Sequence, residues 1–277
     1  MLYGGNLKVF ISVDMEGVSG INHWDETIRN KPEYSFYKDE LMNEIKAACE
    51  GANLAGAKEI WIKDAHADGR NIDFTGLPTN VKIIRSFNDH PYSMMQGIDE
   101  SFDVAVMIGY HSYGSSAENA LSHTLASNLL FYIKINGIYA SEFLINTYTA
   151  SLVKVPVVFV SGDIGLCEHV NEINPNIKTV GLNKGIGASV ISIHPQIAYD
   201  RIKQGVEDAL KSNTDICKIP LPKKFEVELA FNHHTKAYKA SFYPGMKKIS
   251  ATQLLYVNDD YFEVLRMFIF VLGFYCE

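Results

Sequence analysis

Cysteine is scarce in this chain: Cys49, Cys167, Cys217 and Cys276 are the four among 277 residues, and no Cys-x-x-Cys pair occurs. That spacing leaves no thiol-pair motif and suits a reducing compartment, so the expected location is cytoplasmic. Long apolar runs are lacking as well. The stretch 267–275, the most apolar late in the chain, is too short to span a bilayer and is expected to pack on the core. The opening Met1-Leu-Tyr-Gly-Gly-Asn-Leu-Lys8 has no basic region followed by a long apolar stretch, so no signal peptide is expected. Positive charge is in deficit, with a formal net charge of -7 and no basic run longer than Lys223-Lys224 or Lys247-Lys248. Neither nucleic acid nor an anionic membrane is an expected partner. There is no Gly-x-Ser-x-Gly elbow, no His-Glu-x-x-His helix and no phosphate loop ending in Gly-Lys-Ser/Thr. What remains is an ordinary globular composition, 47% hydrophobic and 21% charged.

Strands and helices alternate from the start. Residues 7–13 form a β-rich apolar run, followed by a loop through Gly17 and Gly20. Over residues 37–54, Leu41, Ile45, Ala48 and Ala52 recur at helical spacing while Lys38, Asp39, Glu40, Lys46 and Glu50 face solvent. Gly56 ends that helix and residues 58–63 begin the next strand, which completes a βαβ unit. Further strands are expected at 81–85 and 104–108, with a short helix at 92–97 between them. The run 104–108 is apolar at every position, as a parallel strand covered on both faces requires. Asn136-Gly137 predicts a hairpin between 131–135 and 138–139, and Ser141 caps a helix over 142–152. Later come strands at 155–160, 188–192 and 226–231 and helices at 196–212 and 259–271. The glycines of 181–187 have the wrong spacing for a nucleotide motif and are expected to form a turn; Cys167 is expected to be inert. The expected class is α/β: a mainly parallel sheet covered by helices in residues 1–185, with a smaller C-terminal α+β domain in residues 186–277.

Chemistry gathers where the expected strands end. Ser12-Val-Asp14-Met-Glu16-Gly17 places two carboxylates two residues apart after the first strand. Two ionised, partly desolvated acids need a cation or a basic partner, and the alternative is a capped loop with solvated acids. The second strand closes on Asp64-Ala-His66, where Asp64 is either a metal ligand or a residue orienting His66; the third closes on Gly109-Tyr-His111. One such histidine alone reads as a satisfied core imidazole. Recurrence at three parallel strand ends, the rim where α/β folds bind ligands, points to a metal site instead. Imidazole and carboxylate ligands suit zinc. Glu142 adds a carboxylate at a helix start, and His123 follows the Ser/Gly/Ala/Asn-rich stretch 112–122.

These elements resemble the M55 class of zinc peptidases, the D-aminopeptidase family. Ser12-Val-Asp-Met-Glu-Gly17 with Ser19-Gly20, Lys63-Asp-Ala-His66, Gly109-Tyr-His111, Ser122-His123, the run from Tyr132 through Ser141-Glu142 to Asn146, and Gly162-Asp163 carry the resemblance over nearly the whole chain. It implies two zinc ions per subunit held by Asp14, Glu16, His66, His111 and Glu142, with Asp14 shared and His123 as the additional catalytic group. It further implies hydrolysis of the amino-terminal residue of short peptides with a free amino terminus, D-amino acid peptides above all, by a ring-shaped homodecamer. The stretch 112–122 departs from the family's sequence and is one residue longer, which bears on selectivity. Two rivals share the same inventory: a two-metal hydrolase of another amide or a phosphoester, and a non-catalytic metal-stabilised binding protein.

Overall fold

The computed structural model describes residues 6–273; residues 1–5 and 274–277, and with them Cys276 and the end of the apolar 267–275 stretch, lie outside the described residues. In chain order the strands and helices are β1 Lys8–Val13, α1 Tyr34–Leu54, β2 Glu59–Asp64, β3 Val81–Ile84, β4 Val104–Tyr110, β5 Leu130–Ile135, β6 Ile138–Tyr139, α2 Glu142–Leu152 and β7 Val157–Asp163. They continue with α3 Ile164–Ile173, β8 Lys178–Ile186, β9 Ser189–Ser192, α4 Pro195–Lys211, β10 Phe225–Phe231, α5 His234–Ala240, β11 Lys247–Lys248, β12 Gln253–Asn258 and α6 Tyr261–Leu272.

A seven-stranded sheet runs in the order β3-β2-β1-β4-β7-β8-β9, parallel except for the last pair. Beginning in the middle at β1, the chain winds outward to β3, then crosses back and winds outward again from β4. The direction reverses between β1 and β4, and a crevice opens there beyond the carboxyl ends of the strands. Strand β4 is buried at all its positions, which accounts for its unbroken apolar sequence. Helix α1 sets Leu41, Ile45, Ala48 and Ala52 against the core. Truncating Leu41 to alanine would cost about 2–5 kcal/mol through lost contacts and the cavity left behind.

The second sheet, β11-β12-β10-β5-β6, is antiparallel throughout. Its β5–β6 hairpin turns on Asn136 and Gly137, both at positive φ, as the sequence leads one to expect. Segments cross residue 185 in both directions: the β5–β6 hairpin pairs with β10, while β9 extends the first sheet and α4 packs on α1, β7 and β8. Helix α6 packs on α2, β10 and β12, and the Tyr261 hydroxyl donates to the Ile145 carbonyl. The second sheet thereby braces the helix that begins with Glu142.

One expectation needs correction. Residues 181–186 are not a turn but the greater part of β8, where a side chain on Gly185 would meet the backbone of Glu118; Gly187 alone, at φ of 59°, lies in the turn to β9. No described helix is long and apolar enough to cross a membrane.

Candidate metal centre

Asp14 and Glu16 follow β1 directly. The Asp14 N–H donates to the Ile108 carbonyl (2.8 Å) and the Gly17 N–H to that of Gly109 (2.9 Å), so β1 and β4 remain in contact past their regular pairing. That approach requires glycine: a side chain on Gly17 would fall into the Tyr110 carbonyl. Gly109 has φ of 71° and leaves room for the Asp14 backbone. The two strand ends are thus pinched together, and His111 comes to lie beside Asp14.

Asp14 holds the centre. Its Oδ1 lies 3.3 Å from His66 Nδ1, and its Oδ2 lies 3.4 Å from His111 Nε2. Glu16 Oε2 is 3.1 Å from the same nitrogen of His66, and Glu142 Oε2 is 3.5 Å from the same nitrogen of His111. His123 Nε2 stands 3.7 Å from Glu142 Oε1, and its ring stacks on that of His111 with centroids 4.3 Å apart. The structure therefore brings together the six residues that the family resemblance names, Asp14, Glu16, His66, His111, His123 and Glu142.

The three imidazoles share one device. His66 donates Nε2–H to the Thr27 carbonyl, His111 donates Nδ1–H to that of Ser112, and His123 donates Nδ1–H to that of Leu121, each at 2.9 Å. A carbonyl only accepts, so those nitrogens carry the hydrogen, and in each ring the opposite nitrogen faces carboxylates. There it takes either a proton or a cation. Asp14 Oδ2, Glu16 Oε2 and His111 Nε2 are buried without a hydrogen-bond partner. Groups of that kind are costly to leave unmet, and three of them facing one space fit a divalent cation. His111, His123 and Glu142, and likewise Asp14, Glu16 and His111, present ligand atoms within 4.8 Å of one another. The fit is to a nitrogen-and-oxygen site, with imidazoles oriented by backbone carbonyls.

Electrostatics agree with that reading. Burial drives the Asp14 carboxyl up to about 8, and the charge of Glu16 adds to the effect. Burial opposes ionisation of Glu142, yet the charge and hydrogen bond of His111 outweigh it and hold the carboxyl at about 2. Burial equally opposes charge on His111, but Glu142 and Asp14 prevail and raise the ring to about 10. His123 is lowered by burial and then by the charge on His111. Imidazole protons balance the carboxylates here, and metal binding displaces such protons.

Asp64 is not part of the centre and does not orient the His66 ring. Its carboxylate accepts from the backbone N–H groups of Asn71 and Ile72 and from the Asn71 side chain, which in turn donates to the His66 carbonyl. It fixes the loop around His66, and the ring is oriented by a backbone carbonyl that no sequence motif marks.

Other supports come from strands whose ends carry no histidine. Asp163, ending β7, accepts from the Ser112 N–H and hydroxyl, from Asn119 Nδ2 and from the Leu166 N–H at the start of α3. Asn183 on β8 accepts from the Gly20 N–H and donates to the Val18 carbonyl, and Glu44 on α1 accepts from the N–H and hydroxyl of Ser19. These residues fix the loops bearing Glu16 and His111. A polar residue closing an apolar run was the signal available for Asp163; Asn183, inside β8, had no such mark. Glu44 had a fainter one, an acid on the apolar stripe of α1, three residues from Leu41.

A cavity of about 640 Å³ opens over the cluster, lined by Asp14, Glu16, His66, His123 and Glu142 together with apolar Trp24, Phe87, Met94 and Leu125. Trp24 meets the His123 ring edge-on, with centroids 5.3 Å apart.

Comparison with known proteins agrees with this geometry. A D-aminopeptidase of Bacillus subtilis (strain 168) is 25% identical over 264 residues, covering 94% of each chain. The solved structure described as a Zn-dependent D-aminopeptidase DppA from Bacillus subtilis, a self-compartmentalizing protease, superposes with a TM-score of 0.89 at 24% identity, over 98% of this chain and 100% of that one. The sequence model of the M55 peptidases, described as D-aminopeptidase, matches residues 7–270. The chain therefore belongs to the M55 peptidase family.

Proposed function

We propose that this protein is a zinc-dependent aminopeptidase that removes the amino-terminal residue of short peptides, D-amino acid peptides above all. The observation that carries the reading is Asp14, whose two carboxylate oxygens face different imidazoles. In this arrangement Asp14, Glu16 and His66 would hold one zinc ion, and Asp14, His111 and Glu142 a second. Bound zinc supplies Lewis-acid polarisation of the scissile carbonyl and lowers the pKa of water.

The chain's own groups do the rest. Thr27 and Ser112 carbonyls keep His66 and His111 in the tautomers that face the acids. His123 has Nδ1 committed to Leu121, so its Nε2 is the atom that carries a proton to and from the reacting centre. That assigns His123 to protonating the departing amine or to stabilising charge on the tetrahedral intermediate. Trp24, Phe87, Met94 and Leu125 give the cavity apolar walls that limit water around the scissile bond. The reading extends to a cytoplasmic, multisubunit assembly, with a decamer as the form the family resemblance implies; sedimentation velocity measures it.

The test is turnover of paired D- and L-alanyl dipeptides by chelated and then zinc-restored protein, alongside an N-acyl amino acid and an aryl phosphate. Zinc-restored release of the amino-terminal residue, faster for the D-peptide, is expected. Zinc-restored turnover of the phosphate or the acyl amino acid alone would contradict the reading, as would tight zinc binding with no hydrolysis.

A further inference from the structure

Three motif residues offer no ligand to the metals: Ser12 shortly before Asp14, Tyr110 just before His111, and Asn146 after Glu142. The fold brings their side chains together. Ser12 Oγ lies 2.7 Å from the Tyr110 hydroxyl and 2.8 Å from the Met94 carbonyl oxygen. Asn146 Nδ2 lies 3.0 Å from the Tyr110 hydroxyl and 3.3 Å from the Met94 sulfur. All four residues are buried, and Met94 also lines the cavity.

Counting hydrogens fixes the direction of each bond. A carbonyl only accepts, so the single hydroxyl hydrogen of Ser12 goes to Met94. Tyr110 then donates to Ser12 Oγ, and its own oxygen accepts from Asn146 Nδ2. The Met94 thioether is an acceptor as well, so the Asn146 amide turns its nitrogen to that side. The result is a one-way chain from Asn146 through Tyr110 and Ser12 to the Met94 carbonyl, in which each donor has an acceptor. Burial, and after it the charges of Asp14 and Glu142, push the Tyr110 hydroxyl well above the ordinary phenol range. The hydroxyl thus keeps its hydrogen and lies close enough to the centre to feel two of its carboxylates.

This chain joins β1, β4 and α2, the elements that lead to or carry Asp14, His111 and Glu142. Asn146 stands one turn from Glu142 on the same face of α2. Glu16 and His66 are held by other partners: Asn119 Nδ2 donates to the Glu16 carbonyl, while Thr27 and Asn71 bond the ring and the carbonyl of His66. We propose that Tyr110, with Ser12 and Asn146, is the positioning device of the second zinc site, locking three elements so that Asp14, His111 and Glu142 surround one ion. This rests on the two-zinc reading and deepens it. Buried hydrogen-bond chains of this kind act as a unit, so a break at any link releases the whole.

Zinc affinity is measured on the full chain by chelator competition. Occupancy of each site is read by anomalous scattering from crystals equilibrated at a fixed, subsaturating free zinc. Tyr110→Phe is expected to lower affinity at the His111–Glu142 site about tenfold or more, while the Glu16–His66 site keeps its wild-type affinity. Ser12→Ala should do the same, and Ser12→Thr, which keeps the hydroxyl, should restore binding. The double variant Tyr110→Phe/Ser12→Ala should lose no more than either single one. Unchanged zinc affinity in Tyr110→Phe overturns the proposal, as does equal loss at both sites or additive loss in the double variant. Should Tyr110→Phe fail to fold, the Ser12→Ala and Ser12→Thr pair decides by the same criteria. A wild-type chain that binds two zinc ions, with the selective loss in Tyr110→Phe but no peptide turnover, supports the positioning device and removes the peptidase. Peptide turnover with unchanged zinc affinity in Tyr110→Phe removes the positioning device alone.

Discussion

Asp14 Oδ2 and His111 Nε2 face each other at 3.4 Å, both buried, and neither has a hydrogen-bond partner. The other nitrogen of His111 is committed to the Ser112 carbonyl, and the other oxygen of Asp14 points to His66. In the proposed arrangement a carboxylate so placed would serve two sites at once, which separates its expected role from those of its neighbours.

Removing that shared oxygen pair should therefore cost both metals. Asp14→Asn is expected to lose most of its zinc, while Glu16→Gln and Glu142→Gln should each weaken one site more than the other. Elemental analysis after dialysis against a fixed free zinc concentration measures this, and an Asp14→Asn protein with unchanged zinc content would contradict it.

Histidines divide into two classes by the same argument. His66→Ala and His111→Ala should lose zinc and activity together. His123→Ala should keep most of its zinc and lose about 10²–10⁴-fold in kcat, the usual contribution of a positioned proton donor or acceptor. Equal zinc loss in all three would erase the distinction.

Zinc should also stabilise the fold, since the cations bind the native arrangement of buried acids and not the unfolded chain. At free zinc of a hundred times the dissociation constant, one site contributes about 3 kcal/mol. Thermal melts with chelator and with restored zinc read the difference, and coincident melts would count against a site of this affinity.

Glu44 gives a pH dependence away from the cluster. Burial raises its carboxyl from the ordinary 4.5 to about 7, against the hydrogen bonds from Ser19. A carboxyl that holds its proton more tightly in the folded state contributes stability that is fully present below 4.5 and is lost as pH rises through about 7. The loss is on the order of 3 kcal/mol. Denaturant unfolding from pH 4 to 8 should show a decline that is flatter in Glu44→Gln; parallel profiles would assign the slope to other groups.

Much of this centre was legible because of how parallel sheets are built. Buried strands give unbroken apolar runs, so the polar residues that end them stand out, as Asp14, His66 and His111 do. The Ser141 cap and the Asn136-Gly137 turn were equally plain, since local chemistry fixes them: Ser141 Oγ accepts from the Leu144 N–H. Legibility failed where partners are remote or are backbone. Nothing near Asp64 says that its carboxylate holds the 71–72 backbone rather than a metal, and nothing near Thr27 marks its carbonyl as the partner of His66. The pairing of β5 with β10, which joins Val227 to Ile135, spans most of a hundred residues and leaves no local trace.

Anomalous scattering at the zinc edge from a crystal grown with ample zinc tests the central claim most directly. The account predicts two peaks flanking Asp14, one against Glu16 and His66 and the other against His111 and Glu142. A single peak away from Asp14, or none at saturating zinc, would contradict it.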